Sequence, residues 1–274
     1  MKPRAHVVAA VSAIAMAVAV TAGCSSSTSS KTNPSPAGAS DRGSTAATAT
    51  VSGTVTVFAA ASLQEAFTTL ANQFEAAHPG VKVKLNFGAS SALAQQINQG
   101  APADVFASAS TKNMSQVSSA GGAASSSNFA KNVMEIAVPP SNPAGVTSVA
   151  DLARSGVKVA LCQSQVPCGS TALAVFAKAK ITVKPVTLEP DVKSTLAKVE
   201  LDEVDAGVVY VTDVRAAGSK VKGIEIPADV NASTDYPIAT LTKAANPVAA
   251  QAFVAYVLSS AGQSVLTADG FERP

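Results

Sequence analysis

Short apolar runs alternate along the chain with longer stretches in which apolar residues recur at helical spacing. Strands are predicted at 54–59, 81–87, 105–108, 133–138, 157–161, 186–188, 206–210, 224–226 and 236–241. Between them, helices are predicted to begin at Ser62, Ser90, Ser108 or Ser110, Ser148, Gly169, Asp191 and Asn246. The last of these runs from Pro247 toward Ser260, and a short helix follows from Gly262. In the first helix Leu63, Ala66, Phe67, Leu70 and Phe74 share a face, and Ser62-Leu-Gln-Glu65 has the spacing of a capping box. Ser90 opens a helix with Leu93 and Ile97 inward, which Gly100 and Pro102 stop. Strands alternating with amphipathic helices predict an α/β fold. No fixed-period repeat is visible.

The first fifty residues break this pattern. Lys2 and Arg4 precede an apolar stretch from Val7 to Ala22, which ends in Gly23-Cys24 and a polar turn. The stretch is short for a bilayer span, which needs about 20 apolar residues, and its layout is that of a bacterial export signal. Cys24 resembles the acylated cysteine of a lipobox, with Thr21 where leucine is usual. Residues 1–23 are therefore expected to be a signal peptide and Cys24 the lipidated start of the mature chain. Residues 24–51 are rich in Ser, Thr, Ala, Gly and Pro and are expected to form a disordered tether. As a flexible coil its reach is roughly 30 Å. The expected location is exported, lipid-anchored on the outer face of the cell membrane.

The remainder of the 274 residues is ample for a buried core and two lobes. A net charge of +2 says nothing about partners. There is no tryptophan and no basic run interleaved with aromatics, which excludes a nucleic-acid-binding pattern.

Ser62 and Ser90 each stand where a predicted strand gives way to a predicted helix. Such a corner aims a hydroxyl and several free backbone N–H groups at one point, and it can grip a small anion without a charged side chain. Serine at a helix start is more often only a cap. A hydroxyl both accepts and donates, so one serine can cap its helix and still donate to a ligand.

The motifs follow in order as Phe58-Ala-Ala-Ala-Ser62-Leu, Phe87-Gly-Ala-Ser90-Ser-Ala-Leu and Gly100-Ala-Pro-Ala-Asp-Val-Phe106. Val166-Pro-Cys-Gly169, Asp191-Val-Lys193 and Gly207-Val-Val-Tyr-Val-Thr-Asp213 come after them. This ordered set resembles the periplasmic molybdate-binding proteins, the receptors of molybdate ABC importers, over essentially the whole mature domain. The resemblance implies a two-lobed type II periplasmic-binding-protein fold with molybdate or tungstate in the cleft between lobes. It further implies donors from Ser62 and Ser90 in one lobe. From the other come the backbone N–H groups of Cys168 and Val192 and the Tyr210 hydroxyl. Cys168 stands where the family commonly has alanine, a change compatible with use of the backbone donor alone.

The chemistry of that set is coherent. Molybdate is a tetrahedral dianion that accepts at every oxygen and donates at none. A matching site consists of neutral donors shut off from water. Protonated phosphate would bring a hydrogen that finds no acceptor there. Sulfate has the same charge and shape, so only pocket size separates it.

With Cys24 lipidated, Cys162 and Cys168 are left as a pair in an oxidising compartment. A disulfide is expected between them, with about 2 kcal/mol of stabilisation for so short a loop. Its use would be to hold the Cys168 N–H in place. The acidic residues Glu200, Asp202, Glu203 and Asp205 lack a calcium-loop pattern and read as a solvated turn. Asp213 is expected to cap the next segment or to brace Tyr210 from behind.

Three rival readings fit less well. An envelope serine hydrolase would have to use His78, the single histidine after the tether, and the intervening helix would hold it some 20 Å from Ser62. No Gly-x-Ser-x-Gly elbow occurs. An iron(III) receptor favours adjacent tyrosines, and Tyr210, Tyr236 and Tyr256 are scattered. A purely structural lipoprotein needs no convergent donors. The expected protein is thus a non-enzymatic receptor without cofactor or directly ligated metal. It is a monomer that hands its oxyanion to a membrane permease of an ABC importer. Lobe 1 is expected to hold 52–135 and 238–274 and lobe 2 to hold 136–237, with the chain crossing near 133–138 and returning near 236–241.

Overall fold

Val55, Val57 and Ala59 are fully buried on β1 (Gly53–Ala60), and the even positions near its end are buried as well. Burial on both faces follows from its central place in a layered sheet. β1 pairs in parallel with β2 (Val81–Gly88) and with β3 (Val105–Ala107). β3 pairs antiparallel with β9 (Ser233–Thr240). Helix α1 (Gln64–Ala77) covers this sheet with Phe67, Leu70 and Phe74, while α2 (Ser90–Asn98) and α3 (Thr111–Ser119) pack by way of Leu93, Met114 and Val117. The structure is a computed structural model that describes residues 51–274. The expected signal segment, Cys24 and nearly all of the tether lie outside the described residues.

A twelve-residue strand, β4 (Ser127–Val138), carries the chain from one hydrophobic core to the other. From Ser127 to Val133 it pairs with β9, and from Met134 onward with β7 (Ala206–Tyr210) and β8 (Lys222–Glu225). In the second core β5 (Val159–Cys162) lies parallel to β7 and to β6 (Thr187–Glu189). Around them pack α4 (Pro167–Ala179), α5 (Val192–Glu200) and α6 (Val211–Ala217). β9 then returns the chain to the first core, where α7 (Pro247–Leu258) and α8 (Ser260–Ala268) complete it. Phe67 and Phe74 meet Phe253 of α7 edge-on at 6.1 and 5.3 Å, a favoured aromatic geometry. The fold is a two-lobed α/β architecture in which β4 contributes residues to both cores and β9, paired with the first half of β4, leads the chain back to the first. Among the described residues no helix is long and apolar enough to cross a membrane.

Several elements differ from expectation. Ser62 lies in a 3-10 turn, Ala61–Leu63, so α1 begins at Gln64 and the predicted capping box does not form. After Ser148 there is only a five-residue 3-10 turn, Val149–Ala153, which a Ser148–Asp151 capping box starts and an extended Arg154 ends. Helix α6 was not anticipated. It starts directly at the end of β7, where Asp213 accepts from the Tyr210 N–H at 3.1 Å.

Candidate anion-binding site

Parallel strands direct their carboxyl ends, and the loops that leave them, to the same edge of a sheet, and such edges are where α/β folds bind ligands. Here both cores present that edge to a common cleft. β1 leads to Ser62, β2 to Ser90, β5 to Cys168, β6 to Val192, and β7 ends in Tyr210. All five residues line one small cavity, together with Ala60, Gly88, Ala109 and Pro167. Their exposures are 4, 1, 2, 3 and 1 % respectively, so each donor is buried in the cleft wall. About 10 Å³ is open to the centre of a water-sized sphere, close to the least a single water needs. A site this tight admits a small compact group and no organic substrate.

Each donor has a local cause. Ser90 is the first residue of α2, and its Oγ accepts from the Ala109 N–H at 2.9 Å, which leaves its own proton for the cavity. α4 begins with Pro167, which has no N–H, so Cys168 supplies the first backbone donor. The first bond within α4 is Ser170 N–H to Val166 O at 3.0 Å, and Cys168 and Gly169 precede it. Gly169 is obligatory: a Cβ there would stand 2.1 Å from the Gln163 carbonyl oxygen and 2.7 Å from that of Cys162. Cys162 and Cys168 are joined by a disulfide, with Cα atoms 5.8 Å apart, across this same turn. Val192 opens α5, whose cap Asp191 accepts from Ser194 N–H at 2.8 Å. The one carboxylate on the cavity wall is thereby engaged with its own helix.

Tyr210 carries the clearest mark of a ligand site. Its hydroxyl is buried and has no hydrogen-bond partner, a state that costs about 1–3 kcal/mol unless something absent from the protein fills it. Nearby Thr171 donates to the Pro167 carbonyl instead. Burial raises the Tyr210 pKa well above that of a free phenol, so it stays a donor at every working pH. The Ser62 Oγ is 2.8 Å from the Tyr236 hydroxyl. Tyr236 was not foreseen as a neighbour of the site, and only its apolar run in β9 was legible. Three helix N-termini, those of α2, α4 and α5, also point at the cavity and bring partial positive charge without a cation.

Lys193 follows Val192 but does not line the cavity. Its Nζ forms ion pairs with Glu65 at 2.8 Å and with Asp213 Oδ1 at 3.2 Å. Burial lifts the Asp213 pKa to about 6, against the pull of Lys193 and the Tyr210 N–H. Burial works against the charge on Lys193, but Asp213 and Glu65 outweigh it and its pKa is raised. Asp213 caps α6 and accepts from the Tyr210 N–H at 3.1 Å.

The rival readings fare as follows. His78 is held to Phe74 O at 3.0 Å at the far end of α1, without contact to Ser62. Tyr210 and Tyr236, distant in sequence, come together with ring centroids 6.2 Å apart, which corrects the expectation that the tyrosines are scattered. Burial raises both pKa values, the reverse of what phenolate ligands to iron(III) require. Among the described residues no cluster of His, Cys, Asp or Glu could hold a metal ion. Of the acidic run, Glu203 pairs with Lys198, Glu200 lies near Lys220, and Asp205 accepts from the Lys158 N–H.

Comparison with known proteins places the chain among relatives. Residues 55–272 match the family described as bacterial extracellular solute-binding protein. The chain is 43% identical over 221 residues to the molybdate-binding protein ModA of Mycobacterium tuberculosis, a match that covers 80% of this chain and 85% of that one. Among solved structures, the periplasmic molybdate-binding protein of Azotobacter vinelandii superposes with a TM-score of 0.73 at 20% identity, over 80% of this chain and 99% of that one. The sulfate-binding protein SubI of M. tuberculosis superposes with a TM-score of 0.72 at 19% identity, over 80% and 86%. The last two similarities concern the fold alone and are equally good for two different anions.

Proposed function

The chain belongs to the bacterial extracellular solute-binding proteins, and from that membership and the donor set of its cleft we propose that its solute is molybdate, with tungstate as the close alternative. It is a binding protein of an ABC importer and not an enzyme. The observation that carries the ligand assignment is the cavity wall: buried neutral donors, an unpartnered Tyr210 hydroxyl, no cationic side chain, and a single carboxylate, Asp191, that caps its own helix. A dianion whose oxygens only accept satisfies every group there, whereas a protonated oxyanion leaves one hydrogen opposed to a donor. The 43% identity to a molybdate-binding protein supports the same choice over sulfate.

In this reading lobe 1 comprises 52–135 and 238–274 and lobe 2 comprises 136–237. The lobes separate by bending at β4 and β9 and close when the anion links donors of both. Ser62 and Ser90 act from lobe 1, and Cys168, Val192 and Tyr210 from lobe 2. Release follows when a membrane permease opens the closed form. Acylation at Cys24 would anchor a monomeric receptor to the outer face of the membrane, with the tether giving it room to reach that permease.

The test is substitution of the two serines. Ser62→Ala and Ser90→Ala should each weaken molybdate binding by about 1–3 kcal/mol, the range for a hydrogen bond to a charged group. Unchanged affinity in both variants would refute the site.

A further inference from the structure

Behind the cleft, the Ser62 hydroxyl meets a buried network on β4 and β9, the paired strands by which the chain crosses between the cores. Tyr236 of β9 is fully buried, with its hydroxyl 2.8 Å from Ser62 Oγ. Asn132 of β4 is 1 % exposed, and its Nδ2 lies 2.8 Å from Thr212 Oγ1 and 3.5 Å from the Tyr236 hydroxyl. The Asn132 Oδ1 accepts from the Val133 N–H at 3.1 Å. That bond turns the amide oxygen toward Val133 and the nitrogen toward Thr212 and Tyr236.

The polarity of this chain of bonds follows from the donor inventory. An amide nitrogen only donates, and its two hydrogens meet two hydroxyl oxygens. The Tyr236 oxygen is thus an acceptor toward Asn132 and has one proton of its own to place. The groups in hydrogen-bond geometry with it are Asn132 Nδ2 and Ser62 Oγ, of which only the second can accept, and the nearby Tyr210 hydroxyl makes no hydrogen bond to it. Tyr236 therefore donates to Ser62, and the Ser62 proton is left for the cleft. Burial raises the Tyr236 pKa, which keeps that proton in place across the working range.

We propose that Asn132 and Tyr236 are positioning residues that fix the Ser62 hydroxyl as a donor toward the cleft and so select fully deprotonated oxyanions over protonated ones. Without them Ser62 can turn, offer a lone pair, and accept the hydrogen of a hydrogenphosphate ion. The proposal rests on the reading of the cleft as a molybdate site, and the wild-type titration tests that reading separately.

The experiment is a double-mutant cycle read by calorimetric titration of the purified protein with molybdate. Wild type, Tyr236→Phe, Ser62→Ala and the double variant are compared after circular dichroism has established folding. Tyr236→Phe should lose roughly tenfold in affinity when Ser62 is present. In the Ser62→Ala background it should change affinity by less than about twofold, because its effect passes through that hydroxyl. A loss of equal size in both backgrounds, or none in either, overturns the proposal. Asn132→Asp provides the second variant, since a carboxylate accepts where the amide donated and draws the Tyr236 proton away from Ser62. The added charge opposes both dianions, so the ratio of molybdate to hydrogenphosphate affinity isolates the polarity. That ratio should fall by about tenfold or more, and an unchanged ratio also overturns the proposal. Wild type that binds no molybdate would instead refute the ligand assignment.

Discussion

Lys193 Nζ lies 2.8 Å from Glu65 Oε2, so a single ammonium on α5 of the second core holds a carboxylate on α1 of the first. The residue before it is Val192, an expected anion donor, and Glu65 is three residues after Ser62. The ion pair therefore spans the cleft beside the cavity and contributes only when the two halves are together. Glu65 is 44 % exposed in its side chain, so solvent screens much of the attraction. Glu65→Gln should weaken molybdate binding by roughly 0.5 kcal/mol at low ionic strength, and the difference should fade at high salt. Calorimetry at two salt concentrations checks this, and a salt-independent loss would assign Glu65 a different role.

Asp213 gives the fold a measurable pH response. Its folded pKa of about 6 is above the ordinary 3.8, chiefly because the carboxyl is buried. Between those values the folded chain keeps a proton that the unfolded chain has released. The contribution of Asp213 to stability therefore declines as pH rises through that window and is constant above it. Asp213→Asn removes the titration and retains an oxygen for the Tyr210 N–H. From pH 4 to pH 7 the variant should gain on wild type by on the order of 2 kcal/mol in unfolding free energy. Denaturant titrations at both pH values read this directly, and parallel pH profiles would contradict it.

The Cys162–Cys168 disulfide closes the turn that presents the Cys168 N–H. The double substitution to serine should cost about 2 kcal/mol of stability by loss of loop constraint. If the bridge also pre-organises the donor, molybdate affinity should fall in the variant while the serine and tyrosine donors remain. Equal affinity with lowered stability would make the bridge a structural staple only.

The sequence disclosed the frame better than the contacts. Apolar runs located every strand, and the corners at Ser62 and Ser90 pointed to the cavity that the structure contains. Ser62 was read as the cap of its own helix, because a capping box is a local pattern. In the structure its hydroxyl is bonded to Tyr236, 174 residues away, and Glu65 to Lys193, 128 residues away. No local spacing encodes such partners. Helix α6 was missed for a related reason: it is seven residues long, and its start is set by Asp213 reaching back to the end of β7. β4 was expected to begin at 133, yet it starts at Ser127 because pairing with β9 recruits the polar residues Ser127, Asn128 and Lys131. Asn132 precedes the strand predicted at 133–138 and carried no expectation, and only its amide geometry gives it a role.

The central claim is that the closed cleft is a donor cage for a fully deprotonated tetrahedral oxyanion of one size. The most direct test is isothermal titration of the purified protein with molybdate, tungstate, sulfate and hydrogenphosphate in turn. Tight binding of molybdate and tungstate, sulfate far weaker, and hydrogenphosphate silent is the predicted result. Sulfate bound as tightly as molybdate would contradict the ligand assignment, and hydrogenphosphate bound as tightly would contradict the all-donor site itself.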